Sequence, residues 1–168
     1  MSKFKTIHDI LAFLKNFDFS DYTIIEVCRT CYFTKREKKV FEHYPLYLQY
    51  GRTQAEIGYY VNMSQPTISN VLKRCRTKIV AIKDLLKDAE KHLEVIKSVC
   101  TQNAYDVLCK ALAGTRFAHI AAERNCTVFN ISLICSCALR KLKVTAPETY
   151  NWTYMFLRTI SIIRSKKE

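Results

Sequence analysis

The 168-residue chain is 49% hydrophobic and 25% charged, the balance of a folded soluble protein, which excludes a largely disordered chain. It holds no run of 18 apolar residues, so no membrane partner is expected, and its three glycines and three prolines are too few to punctuate many short strands. Its 27 Lys and Arg against 15 Asp and Glu leave a net charge of +12, the electrostatic footprint of a polyanion binder. The excess lies beyond residue 33: residues 1–33 carry four basic and four acidic side chains, 34–99 carry 13 and 7, and 100–168 carry 10 and 4.

In chain order, the first expected element is an amphipathic helix at 6–17, where Ile7, Ile10, Leu11, Leu14 and Phe17 recur at helical spacing; its packing partner is not legible. A short helix is expected within 20–33. Cys28 and Cys31 form a C-x-x-C there, but zinc needs four ligands and no second pair follows at finger-like spacing; Cys135 and Cys137 or His43 are the residues that could complete a site, and no metal and no other cofactor is expected. Eight cysteines without a signal-peptide pattern point to free thiols in a reducing, cytoplasmic compartment, with Cys75, Cys109, Cys126 and Cys135 on apolar helix faces.

Thr34-Lys-Arg-Glu37 reads as a capping box, in which the hydroxyl accepts a backbone N–H three residues on and the Glu reaches back, so a helix should run from here to about Leu48. Gly51 supplies a helix stop, and Thr53-Gln-Ala-Glu56 opens a second, short helix with another capping box. Asn62 and Met63 make a turn, Ser64 is a good N-cap, and Pro66 fits the first turn of the next helix. Beyond it Ile68, Leu72, Cys75, Ile79, Ile82, Leu86, Ala89, Leu93 and Ile96 alternate in steps of four and three, the 3.5-residue repeat of a coiled-coil seam. One helix of about 35 residues, on the order of 50 Å long, is expected. It either links two domains or pairs with a copy of itself, giving a homodimer through the 68–96 seam; a break near Lys83-Asp84 is the competing expectation.

An offset of 63 then pairs Gly51 with Gly114, Ala55 with Ala118, Ile57 with Ile120, Asn62 with Asn125, Ser64 with Thr127, Ile68 with Ile131, Ser69 with Ser132 and Lys78 with Lys141. Upstream, Thr34 and Val40 match Thr101 and Val107 if the segment from the first helix to the glycine is four residues longer in the first copy. A last helix, about 148–164, follows Pro147 and puts Trp152, Met155, Phe156, Ile160 and Ile163 on one face. The expected fold is all-α: two trihelical helix-turn-helix units joined by a long helix, with extra N- and C-terminal helices. The divisions are 1–33, 34–82, 83–99 as a linker helix continuing the recognition helix, 100–144 and 145–168.

In a helix-turn-helix a short first helix sets the second at the angle needed to enter the major groove, which takes a small residue early in helix one and apolar residues locking the pair. Ala55, Ile57, Val61, Ile68 and Leu72 meet those needs. On the second helix Gln65 and Asn70 can pair in bidentate fashion with adenine, and Thr67 can touch a thymine methyl. Lys73, Arg74, Arg76 and Lys78 form an acid-free run suited to phosphates. No paired carboxylates, phosphate-cradling glycines or Ser/His/Asp grouping suggests an enzyme.

The stretch from Gly51-Arg-Thr-Gln-Ala-Glu-Ile57 through Ser64-Gln-Pro-Thr-Ile-Ser-Asn70 to Ile79 resembles region 4.2 of bacterial sigma factors, and Phe33-Thr-Lys-Arg-Glu-Lys-Lys-Val-Phe41 is similar to the helix that opens that region. The resemblance covers about 50 residues. It implies a trihelical reader of double-stranded DNA, with base contacts at Gln65, Thr67, Ser69 and Asn70 and phosphate contacts at Thr53, Lys73, Arg74 and Lys78; Gln54 beside Thr53 joins this set. The second copy departs from the pattern, offering Val128, Phe129 and Leu133 where the first has Gln65, Pro66 and Asn70. It holds phosphates through Arg116, Asn130, Arg140, Lys141 and Lys143, or it has become a protein-binding face. With no acidic region 1.1 and no promoter-melting segment, the resemblance implies a small phage or bacterial transcription regulator rather than a whole sigma factor. The alternative it implies is a region 4 mimic that binds host RNA polymerase and redirects or inhibits transcription.

Overall fold

Capping chemistry divides the chain. The computed structural model describes residues 4–16, 21–43 and 53–163, and every regular element among them is helical. Helices α1 (Ile7–Asn16) and α2 (Asp21–Val27) are followed by a π-helical turn, Cys28–Tyr32. Helix α3 (Lys35–Phe41) starts at the Thr34 box: Glu37 N–H donates to Thr34 Oγ1 at 3.2 Å and Thr34 N–H donates to Glu37 Oε2 at 2.8 Å. This helix ends at Phe41, with Glu42 as its C-cap, short of the expected Leu48; residues 44–52, and with them the Gly51 stop, lie outside the described residues.

Helix α4 (Gln54–Val61) opens on the matching box of Thr53 and Glu56, and α5 (Gln65–Lys87) opens on Ser64, whose Oγ accepts from Thr67 N–H at 3.4 Å. Between them Asn62 takes the left-handed conformation, φ 57°, which Asn tolerates better than most residues.

The same construction recurs. Helix α7 (Gln102–Leu112) starts at Thr101, whose hydroxyl accepts from Ala104 N–H. Gly114, at φ +86°, ends it, and helix α8 (Phe117–Glu123) follows. Asn125, at φ 51°, makes the turn, and Thr127 caps α9 (Val128–Thr145). The paired residues Ile57 and Ile120, and Ile68 and Ile131, are all buried. The turns share one hydrogen bond: Met63 N–H donates to Gly58 O at 2.8 Å, and Cys126 N–H to Ala121 O at 3.0 Å. The chain therefore holds two trihelical units on one plan.

The expected unbroken helix over 64–99 is not observed. It stops at Lys87, turns at Asp88 (φ −99°, ψ 4°) and resumes as α6 (Ala89–Val99). The break lies four residues beyond the competing expectation at Asp84. Neither glycine nor proline causes it; packing does. Trp152 of α10 (Pro147–Thr159) donates its indole N–H to Leu85 O at 2.9 Å, and His92 of α6 stacks on the Trp152 ring with centroids 4.9 Å apart. Leu85 lies in the last turn of α5, where carbonyls lack intrahelical donors, so a partner from α10 stabilises the stop.

This corrects the dimer expectation. Of the nine seam residues Ile68, Leu72, Cys75, Ile82, Leu86, Ala89, Leu93 and Ile96 are buried within the single chain and Ile79 is half-buried, so the chain's own helices cover nearly all of the 68–96 seam.

The N-terminal segment finds its partners in both units. Helix α1 lies on α7, with His8 Nε2 2.7 Å from Tyr105 Oη. The π-helical turn lies on α5 and reaches the second unit, where Tyr32 Oη donates to Leu112 O at 2.8 Å. Gly114 permits this approach, because a Cβ there would stand 2.3 Å from Cys31 O. Helix α10 packs on α5, α6, α7 and α9. This helix ends at Thr159 rather than near 164: Trp152 and Phe156 on it and Ile160 at its C-cap are buried as expected, but Met155 is exposed and Ile163 lies beyond the helix, half-buried. Among the described residues no helix is long and apolar enough to cross a membrane.

Candidate nucleic-acid interface

An apolar cluster and one close approach fix the pose of α5. Ile57 and Val61 of α4 are buried with Ile68, Val71 and Leu72 of α5, a non-directional apolar lock. The close approach comes at Gly58, where a Cβ would stand 2.4 Å from Met63 O. The small residue that the motif requires is therefore Gly58. Ala55, expected in that role, is exposed.

With one face of α5 buried, its other face is defined. Gln65, Ser69, Asn70, Lys73 and Arg74 are exposed and Thr67 is half-buried. These residues fall on two adjacent rows of a helix, and 65 to 74 spans about 15 Å. The Thr67 and Ser64 hydroxyl oxygens are 2.8 Å apart. This contact engages the polar end of Thr67 and leaves its methyl as the group to offer a base. No acid occurs on α5 before Asp84, and Arg76 is exposed beside the row.

At the head of α4, Thr53 is exposed and Gln54 half-buried. The Thr53 oxygen accepts from Glu56 N–H at 3.2 Å, which leaves its hydroxyl proton available to a phosphate oxygen. Tyr59 and Tyr60, which the sequence reading did not single out, are exposed on α4. The signal for them in the sequence is an aromatic pair outside the i, i+3, i+4 apolar pattern, which was passed over.

Lys78 is not part of this face. Its Nζ donates to Glu37 Oε2 at 2.9 Å and to Tyr32 O at 3.1 Å, and both side chains of the ion pair are 9% exposed. The expected phosphate contact is therefore a buried clamp of α3 and the π-helical turn onto α5. One turn up, Arg74 points outward while Lys78 falls on the stripe of Ile68, Val71 and Cys75, so helical phase overrides residue type. The neighbouring Cys28 and Cys75 thiols are pushed up to about 12 by burial and stay neutral, as packing groups do.

In the second unit Arg116 stands exposed at the N-cap of α8, Asn130 in the first turn of α9, and Arg140 and Lys141 about three turns further along it. Between them the outward face is apolar: Val128, Phe129 and Leu133 are exposed, Phe129 by 72%. The basic residues of this unit are thus not gathered on one row as those of α5 are. No family model matches the chain, and neither the curated proteins nor the solved structures give a significant match.

Proposed function

We propose that this protein is a sequence-specific double-stranded DNA-binding transcription regulator that reads the major groove through the first three turns of α5. The observation that carries the reading is the exposed, acid-free face of Gln65, Ser69, Asn70, Lys73 and Arg74 on a helix whose other face is locked to α4. Amide side chains at 65 and 70 suit the N6 and N7 edge of adenine, and cations at 73 and 74 lie where the groove gives way to the phosphate rail. The net charge of +12 supplies the attraction that brings any duplex near.

The test is selection of bound duplexes from a random pool, followed by titration of a selected and a scrambled duplex at several salt concentrations. A selected site should bind at least about 10³-fold tighter than the scrambled one, and affinity should fall steeply with salt. Equal affinity for both duplexes overturns the reading.

A second reading, mimicry of sigma region 4 to occupy RNA polymerase, draws on the exposed Val128, Phe129 and Leu133, a face better suited to protein than to phosphate. Replacing Gln65, Asn70, Lys73 and Arg74 together by Ala separates the two. Only the mimic retains polymerase subunits in a pull-down and its effect on transcription.

A further inference from the structure

The second unit carries a concavity that the first reading does not use. An open-sided groove of about 450 Å³ lies between α8, α9 and α10, within the size range of small-ligand sites, roughly 300–1,000 Å³. Its chemistry is one-sided. Arg140 and Lys143, one helical turn apart on α9, line it together with the Ser136 hydroxyl and the rings of Tyr150 and Tyr154 from α10, and among the described residues no carboxylate does. Among the described residues neither Arg140 nor Lys143 has an acid within ion-pair distance, whereas Lys91 is paired with Glu148 and Lys110 with Glu123.

The aromatic side of the groove is ordered. Tyr150 and Tyr154 stack with centroids 5.9 Å apart and planes 23° from parallel, and Lys143 Nζ sits 5.8 Å from the Tyr150 centroid. Both rings are half-buried, so each keeps surface for a ligand. Exposed ring surface next to two cations that have no acid partner among the described residues selects a ligand that joins a planar ring to an anion. A bare anion would leave the rings unused, and an uncharged aromatic would leave the cations unused. We propose that this groove binds a nucleoside phosphate, its base on Tyr150 and Tyr154 and its phosphate on Arg140 and Lys143.

Two sources share that chemistry, a free mononucleotide and a nucleotide within a single strand. Stacking tolerates any base, since each has a π-face, so the groove selects the class more than the base. Cys135, at its floor, is a buried thiol held neutral and offers no nucleophile. The site stands independently of α5.

The experiment is isothermal titration of the full chain with AMP, adenosine, inorganic phosphate and a ten-residue oligo-dA. AMP is expected to bind at least about tenfold tighter than adenosine and than phosphate. Arg140→Ala should weaken AMP by about tenfold or more, and Tyr154→Leu by about 5- to 150-fold. Arg140 is exposed, so its truncation leaves the core intact, and Arg140→Lys should recover part of the loss. Oligo-dA binding more tightly than AMP, with the same sensitivity to Arg140→Ala, identifies the single strand as the source; parity identifies the free nucleotide. The Gln65→Ala, Asn70→Ala double variant should keep full affinity for AMP, so failure of the α5 reading and failure of this one are distinguishable. Phosphate binding as tightly as AMP, AMP affinity unmoved by Arg140→Ala, or no heat from any probe at millimolar concentration overturns the proposal.

Discussion

The two helix-turn-helix units share a frame and differ in surface. Both turn on a left-handed Asn, at 62 and 125, both cap the following helix with a hydroxyl, at 64 and 127, and both bury an Ile from each helix. Yet α5 presents Gln65, Asn70, Lys73 and Arg74, while α9 presents Val128, Phe129 and Leu133. The positions that set helix angles are buried or bound by backbone conformation, and those that meet a partner are not, so one frame carries two chemistries. The interiors differ too. The first unit closes on the Glu37–Lys78 pair, whereas the corresponding residues of the second are Ala104 and an exposed Lys141.

That interior difference predicts the largest asymmetry. Lys78→Ala strands the Glu37 carboxylate in the core and should cost about 3–5 kcal/mol in chemical denaturation, whereas Lys141→Ala should stay within about 0.5 kcal/mol. Replacing Glu37 and Lys78 together by apolar residues of similar size should recover most of the loss. Equal small effects at 78 and 141 would mean that the pair is not closed in solution.

The outward faces predict the next effect. Gln65→Ala and Asn70→Ala should each cost about 1–3 kcal/mol on a selected duplex and relax its sequence preference, while Asn130→Ala changes neither. Lys73→Ala should weaken all duplexes alike and lower the slope of log affinity against log salt by about one. A loss at Asn130 as large as that at Asn70 would make the two units equivalent readers. The turns come next. Gly58→Ala drives a methyl into Met63 O and should cost about 1–3 kcal/mol, against about 1 kcal/mol for Ala121→Gly, which only weakens a helix. Thermal melts of the two variants read this difference directly.

Much of this frame was legible because it is local. Thr34, Thr53, Ser64, Thr101 and Thr127 all cap the helices that their hydroxyls announced. The offset of 63 placed Asn125 before any coordinate did. What the sequence concealed is tertiary. The stop at Asp88 depends on Trp152, 64 residues away, and no glycine or proline marks it. The seam over 68–96 read equally well as a dimer interface, because a 3.5-residue repeat does not say which helix covers it. Lys78 was misplaced since charge was weighed without helical phase, although Glu37 already stood in a capping box one turn from the buried stripe. Gly58 was overlooked in favour of Ala55 because only the turn's path shows which small residue it presses on. The groove of the second unit joins residues of α8, α9 and α10, and no single-helix pattern contains it.

The smallest expected effect bears on the face where the units differ most. Phe129→Gln with Leu133→Gln should alter stability by no more than about 0.5 kcal/mol, because both side chains already meet water in the folded chain. It should also leave duplex binding through α5 unchanged. A loss above about 1 kcal/mol, or a shift in sedimentation between the parent and the variant, would show that this face is covered in solution. The apolar surface of α9 would then be occupied by another copy, and the two units would differ by partner as well as by chemistry. A null result places the difference in residues whose replacement costs the fold nothing, so that the same frame can carry a polar face in one unit and an apolar face in the other.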